Sequence, residues 1–260
     1  MITRLSCTAL FALAPALACA QAGDAPSTTP YRPSVSTPAA LSAPGWLEVE
    51  MGGQYARADD PSHQSQLPYT LKLAFSPDWG LRLGGTAWID QTNADGSRAR
   101  DGGDTNLVLK RRFAIDDASA FGLEASAKVP TAGRSLGSGH ADYGLNAIYS
   151  TDLQGGAWHV DLNLAPTRLG GVDGASGESA WQTLWAGALS HTLNDRASVV
   201  GEFSGTRQHG APATAQWLMA ASYNVSRAVT WDIGLSKGLN QASGHWAVFS
   251  GVTFLAARLF

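Results

Sequence analysis

Residues 66–75 read Gln-Leu-Pro-Tyr-Thr-Leu-Lys-Leu-Ala-Phe, and their alternation decides the fold. Leu67, Tyr69, Leu71, Leu73 and Phe75 fall on one face of an extended chain, with Gln66, Thr70, Lys72 and Ala74 on the other. Successive side chains of a strand point to opposite sides, so this is a strand with one apolar and one polar face. About ten residues of that alternation suit a strand crossing a bilayer, with lipid outside and a polar interior.

The same pattern recurs along the chain. Leu81, Leu83, Ala87 and Ile89 oppose Arg82, Thr86 and Asp90, and Leu107, Leu109 and Phe113 oppose Asn106, Lys110 and Arg112. Phe121, Leu123, Ala125, Ala127 and Val129 oppose Glu124, Ser126 and Lys128. Tyr143, Leu145 and Tyr149 oppose Asp142, Asn146 and Ser150, while Trp158, Val160, Leu162 and Leu164 oppose His159, Asp161 and Asn163. Near the C-terminus, Trp231, Ile233 and Leu235 oppose Thr230, Asp232 and Ser236. Trp181–Thr192 fits either register, so its faces stay open. The expected fold is all-β: a transmembrane, antiparallel, up-and-down β-barrel of about twelve strands over residues 45–260, the even count of single-chain bacterial barrels.

Connections support that count. Short turns at Ser76-Pro77-Asp78, residues 115–118, Asn194-Asp195-Arg196 and Ser226-Arg227 alternate with long polar loops at residues 91–103 and 167–179. Outer-membrane barrels carry short turns on the periplasmic side and long loops outside, which puts both termini in the periplasm. Phe75 and Trp79, Phe113 and Phe121, Tyr149 and Trp158, and Tyr223 and Trp231 flank the short turns, as a membrane girdle would.

Composition points the same way. Of 260 residues, 44% are hydrophobic and only 15% charged, below the ~25% charged of soluble domains. Apart from the N-terminus, no uncharged apolar run reaches the roughly 18 residues of a membrane helix, and only a closed barrel then satisfies the backbone in hydrocarbon. Residues 1–20 read as a secretory signal: Arg4, an apolar run over residues 5–17, and Ala18-Cys19-Ala20 as the cleavage site. Acylation of Cys19 is the rival reading. Cys7 and Cys19 both fall inside the signal, so the processed chain has no thiol. Losing Arg4 takes the formal charge from −3 to −4, and nothing in the chain suggests nucleic acid as a partner. Residues 21–44, rich in Pro, Ser, Thr and Ala, read as a periplasmic tail, with a folded-back plug over residues 31–35 as the alternative.

Turning the polar faces inward fills the lumen with both signs of charge. Candidate lumen or transport residues are Arg82, Asp104, Lys110, Arg112, Glu124, Lys128, His159, Asp161, Glu202 and Asp232, alongside Glu48, Glu50, Lys72 and Asp90. Glu124 and Lys128 share one strand face, and Lys110 and Arg112 are expected opposite them, as a wall-stiffening ion-pair network or as a solute-selecting constriction. Twelve strands imply a bore between a side-chain-filled barrel and a porin. No hydrolase, zinc-protease, nucleotide or dinucleotide motif occurs, and Ser190-His191 are neighbours that a strand points apart. No enzyme activity, cofactor or metal is expected.

Gly103-Asp104-Thr105-Asn106-Leu107-Val108-Leu109-Lys110-Arg111-Arg112-Phe113 resembles the G-D-x-x-L-x-x-K-x-R-F strand of the MetA-pathway of phenol degradation family, outer-membrane transporters. The following strand, ending Lys128-Val129-Pro130-Thr131, is similar to that family's K-x-P-T, and Gly137-Ser138-Gly139, Asp142-Tyr143-Gly144 and Gly201-Glu202 match later landmarks in order. The family's final G-x-T-x-R-F strand is replaced by Gly251-Val252-Thr253-Phe254 running on to Phe260. The resemblance implies an outer-membrane channel taking small hydrophobic or aromatic compounds by passive diffusion. Expected partners are that solute, outer-membrane lipid and lipopolysaccharide, and the barrel-assembly machinery through Phe260. The alternative is a non-conducting, surface-binding barrel with a packed lumen.

Overall fold

The computed structural model describes residues 25–133, 135–172 and 177–260; the signal expected over residues 1–20 lies outside the described residues. Period-two alternation becomes β1 (Trp46–Arg57), β2 (His63–Ala74), β3 (Trp79–Thr92), β4 (Arg98–Asp101), β5 (Thr105–Ala114), β6 (Ser119–Val129), β7 (Asp142–Leu153), β8 (Trp158–Arg168), β9 (Trp181–Thr192), β10 (Ala197–Gln208), β11 (Thr214–Ser226), β12 (Val229–Gly238) and β13 (Trp246–Arg258). Twelve of these pair antiparallel with their neighbours, and β1 pairs with both β2 and β13, so the sheet closes on itself. Closure leaves no open edge in hydrocarbon.

β4 is the extra strand. It folds back on Ile89–Thr92 of β3 as a short hairpin, and β5 takes its place beside β3 from the Gly84↔Asn106 pair downward. The expected loop at residues 91–103 is therefore partly a strand extension standing beyond the barrel rim.

Three of the short turns are each held by one side chain. Ser76 Oγ accepts the N–H groups of Asp78 and Trp79, Asp116 Oδ1 those of Ala118 and Ser119, and Asn194 Oδ1 those of Arg196 and Ala197. A short polar side chain bonding its own backbone two or three residues on is what makes Ser, Asp and Asn turn formers. Gly45 and Leu259 meet at this same end, where Leu259 N–H donates to Gly45 C=O at 2.7 Å.

The outer face is apolar all round: Leu81, Leu107, Leu145, Leu164, Phe203, Met219 and Ile233 are each about half exposed. At the short-turn end the girdle is present. Phe113 and Phe121 pair at 6.1 Å, and the outward Arg111 lays its guanidinium over Trp79 and Phe113 at 5.1 and 4.5 Å, so a cation that interrupts the apolar pattern is held by aromatic faces. A second belt, unread in the sequence, comprises Tyr55, Trp88, Tyr143, Trp181 and Trp246 toward the long loops. Pairing settles the register left open at Trp181–Thr192 and fixes that of the last strand. Trp181, Trp185 and Leu189 face outward with Ala186 and Ala188 buried inside, and β13 runs to Arg258 against β1 with one bulge at Leu47/Glu48.

The inner face is not uniformly polar. Ala188, Val200, Leu218, Ala220 and Phe249 form one buried apolar patch on the wall of β9–β13.

Candidate functional site

The expected periplasmic tail is instead inside the barrel. Residues 25–44 enter at the short-turn end, circle the inner wall and leave at the same end. Ala25 packs on Ala228 of the β11–β12 turn and Leu255 of β13, and Ala39 on the wall residues Ala120 and Ile148. The alternative of a folded-back plug over residues 31–35 describes the core of this segment. A segment rich in Pro and small residues has no ladder of its own, so its backbone groups need partners from elsewhere.

Those partners are the inward carboxylates and amides. Thr29 N–H donates to Glu48 Oε2 at 3.0 Å and Tyr31 N–H to Glu50 Oε1 at 2.7 Å on β1. Arg32 grips Asp232 on β12 through Nε and Nη2, at 3.2 and 3.1 Å. Val35 N–H, Ser36 N–H and Ser36 Oγ–H all donate to Glu202 on β10. Thr37 and Asn163 on β8 exchange backbone and amide bonds, each at 2.9 Å. Ala39 N–H reaches Ser150 on β7 at 2.7 Å, and Pro38 C=O accepts from Lys110 on β5. In chain order the segment passes β1, β12, β10, β8 and β7, just over half of the way round the closed sheet. Its charge-assisted bonds are the stronger class of hydrogen bond.

Tyr31 sits at the hub. Its ring lies 4.0 Å from Lys72 Nζ, 4.3 Å from Lys110 Nζ and 5.5 Å from the Arg82 guanidinium. Its hydroxyl donates to Ala40 C=O at 2.7 Å and accepts from Lys110 at 3.1 Å. The cations are balanced from below: Lys72 contacts Glu48 and Glu50, both at 2.6 Å, and Lys110 and Arg82 each reach Glu124 at 3.4 Å. At this level the gap bounded by Tyr31, Leu41, Lys72 and Glu124 is only about 10 Å³, at the lower limit of what one water molecule needs.

Toward the long loops the lumen reopens. A cavity of 460 Å³ lies between the plug and the wall of β2, β3, β5 and β6, lined by Tyr31, Arg32, Thr70, Arg82, Asn106 and Val108 among others. Its mouth carries a second charge group, where Lys128 meets Asp142 at 2.7 Å and Asp104 at 3.5 Å.

The single charge cluster expected around Glu124 is thus two. Lys110 does pair directly across from Glu124 in the ladder, whereas Lys128 stands opposite Asn106 and Asp142, four residues further along β6. Four residues of strand span roughly 13 Å, too far for one network. Arg112, opposite Gly122 near the short turns, joins neither group. Asp232 and Glu202 serve the plug. His159 reaches Asp161 at 3.1 Å and Asp152 at 2.6 Å, and Asp161 accepts from Ser150 at 2.5 Å. Sequence reading raised Tyr31 and Arg32 only within the alternative plug over residues 31–35, did not name Ser36, and put Asn146, Ser150 and Asn163 on inward faces without assigning them to a site. The one signal for the first three was a run of buried-type acids without enough cations to match them.

Ser190 faces in, and His191 faces out, stacked on Trp158 at 4.2 Å. Ser150 bonds the carboxylate of Asp161, and neither His159 nitrogen is bonded to its hydroxyl.

No family model matches the chain, and no curated protein does. Among solved structures, it is similar to the COG4313 outer membrane channel from Pseudomonas putida F1, with a TM-score of 0.64 at 14% identity over 83% of this chain and 97% of that one. A KdgM porin aligns at 0.55 and 11% identity over 79% and 98%, and the CymD monoaromatic hydrocarbon channel at 0.50 and 8% over 82% and 88%. At these identities the likeness establishes the outer-membrane barrel fold.

Proposed function

We propose that this chain is an outer-membrane channel that admits small hydrophobic or aromatic compounds by passive diffusion, with residues 25–44 as its built-in stopper. Long loops face outward and both termini face the periplasm, residues 1–20 being removed on export and Phe260 serving recognition by the assembly machinery. The observation that carries this reading is the 460 Å³ cavity ending on Tyr31. Its volume is that of a small-molecule pocket, and its lining is mainly polar and charged, with ring surface from Tyr31 and Tyr69 and aliphatic surface from Pro68 and Val108. The resemblance to the phenol-degradation family and the likeness to the CymD monoaromatic hydrocarbon channel support an aromatic solute. In this reading passage beyond Tyr31 requires the stopper to shift, because the gap between it, Leu41, Lys72 and Glu124 holds only about 10 Å³.

Purified protein in liposomes should speed entry of phenol and benzoate over protein-free vesicles. Permeation no faster than the blank would end this reading. The second reading, a non-conducting barrel with a packed lumen, draws on the circuit of bonds around residues 29–40 and predicts silent single-channel recordings even when those bonds are removed.

A further inference from the structure

The floor of the 460 Å³ cavity carries a charge that the wall does not balance. Lys72, Lys110 and Arg82 meet Glu48, Glu50 and Glu124 at this level, but the two signs are unevenly placed. Glu48 and Glu50 both stand on β1 and share Lys72, and the N–H groups of Thr29 and Tyr31 supply their further compensation. On the opposite side, Lys110 of β5 and Arg82 of β3 share the one carboxylate of Glu124, which also accepts from Asn146. Arg82 is the cation left over. The Lys72 and Lys110 side chains are 3% and 4% exposed, whereas that of Arg82 is 22% exposed and lines the cavity. Besides the Tyr31 ring at 5.5 Å, its contact among the described residues is the single 3.4 Å bond from Nη2 to Glu124. A guanidinium carries five N–H donors in a planar fork that matches a carboxylate, so most of its donors are unspent.

Strand pairing shapes the space over it. Lys72, Arg82, Val108 and Ser126 form one inward row across β2, β3, β5 and β6, and Thr70, Gly84 and Asn106 form the next row toward the long loops. Gly84 leaves a gap directly above Arg82, flanked by Thr70 and Asn106 one strand away on either side, about 10 Å apart. The hydroxyls of Thr70 and Ser126 and the amide of Asn106 have no hydrogen-bond partner among the described residues. The acids of the lining are engaged elsewhere: Glu50 by Lys72 and Tyr31 N–H, and Asp104 by Ala132 N–H at 3.0 Å and by Lys128. Arg32, the other cation of the lining, is committed to Asp232 through two bonds. What faces the cavity is one guanidinium among neutral groups able to donate, with Tyr31, Pro68 and Val108 as apolar surface. An uncharged solute would leave the donors of Arg82 unspent, and a dianion would find one cation for two charges.

We propose that this cavity binds one small aromatic monocarboxylate, its carboxylate on Arg82 in the gap over Gly84 and its ring toward Val108 and Pro68. The proposal rests on the reading of the cavity as the place of an aromatic solute and narrows the class of that solute. Arg82 is then the residue that sets specificity, and binding to it does not require the stopper to move.

The test is calorimetric titration of the purified protein in neutral detergent with benzoate, with the uncharged benzamide, and with acetate as competitor. Benzoate should bind at one site, at least tenfold tighter than benzamide, and acetate should compete at least tenfold more weakly than benzoate. R82Q should lose about tenfold in benzoate affinity, the loss of a charge-assisted bond, and leave benzamide unchanged. G84V fills the gap and keeps the guanidinium, so it should weaken benzoate as well; if R82Q does not fold, G84V carries the test. Absence of benzoate binding, benzamide bound as tightly, acetate competing equally, or R82Q binding benzoate like the parent each overturns the proposal. Phenol entry into liposomes, measured separately, decides the channel reading: entry without benzoate selectivity removes the carboxylate site alone, and benzoate binding without entry removes the channel alone.

Discussion

Ser36 donates both its backbone N–H and its hydroxyl to the same oxygen of Glu202, each at 2.8 Å, across 166 residues of sequence. Val35 N–H takes the other oxygen at 3.1 Å. One wall carboxylate thus holds the inner turn of the stopper.

Replacing Glu202 with Leu should free it. The substitution leaves three donors facing apolar wall, and an unsatisfied buried donor costs about 1–3 kcal/mol, so the segment leaves sooner than it stays. Single-channel conductance should rise, and a cysteine placed at the buried Ser42 should react with a maleimide several times faster than in the Ser42→Cys parent. Unchanged conductance and labelling would mean that Glu202 does not retain the segment.

Tyr31 tests whether the ring or the hydroxyl closes the lumen. Tyr31→Phe keeps the face presented to Lys72 and Lys110 and loses only the bonds to Ala40 and Lys110; it should stay nearly closed. Tyr31→Ala removes cation–π contacts worth roughly 0.5–2 kcal/mol each and uncovers three cations. It should conduct, with anions preferred over cations in reversal-potential measurements.

How much of this was readable before the fold was known differs by level. Leu67 through Phe75 announced a lipid-facing strand because period two is a local property, and the inward phase of Lys110, Glu124 and Asp161 followed from it. What their charges contact is not local. Glu48, Glu50, Glu202 and Asp232 lie on strands far apart in sequence, and what unites them is a segment whose own pattern is featureless. Proline and small residues specify neither helix nor strand, so nothing in residues 25–44 marks them as buried. Depth along a strand was the other loss: Glu124 and Lys128 share a face but belong to different levels of the lumen.

The mouth group supplies a selectivity test. Lys128 is the cation between Asp142 and Asp104, so Lys128→Glu puts three carboxylates at the entrance. Cation preference should increase, and entry of benzoate should slow relative to uncharged phenol in the same liposomes, because only the anion meets the added repulsion. Equal slowing of both solutes would point to a steric change.

The chain His159, Asp161, Ser150, Ala39 N–H offers a last discrimination. Ser150 Oγ accepts from Ala39 at 2.7 Å and donates to Asp161 at 2.5 Å, while His159 holds Asp161 and Asp152. In a nucleophilic triad the histidine contacts the hydroxyl and the acid stands behind it; here the acid stands between them, and the hydroxyl is spent on the stopper. Ser150→Ala should therefore loosen the returning limb at Ala39 and raise conductance modestly, with His159→Gln having a smaller effect in the same direction through Asp161. Neither should change phospholipid or ester hydrolysis by the purified protein from the protein-free background. A wild-type hydrolysis rate above background that Ser150→Ala abolishes would assign this group a chemical role and displace the mechanical one.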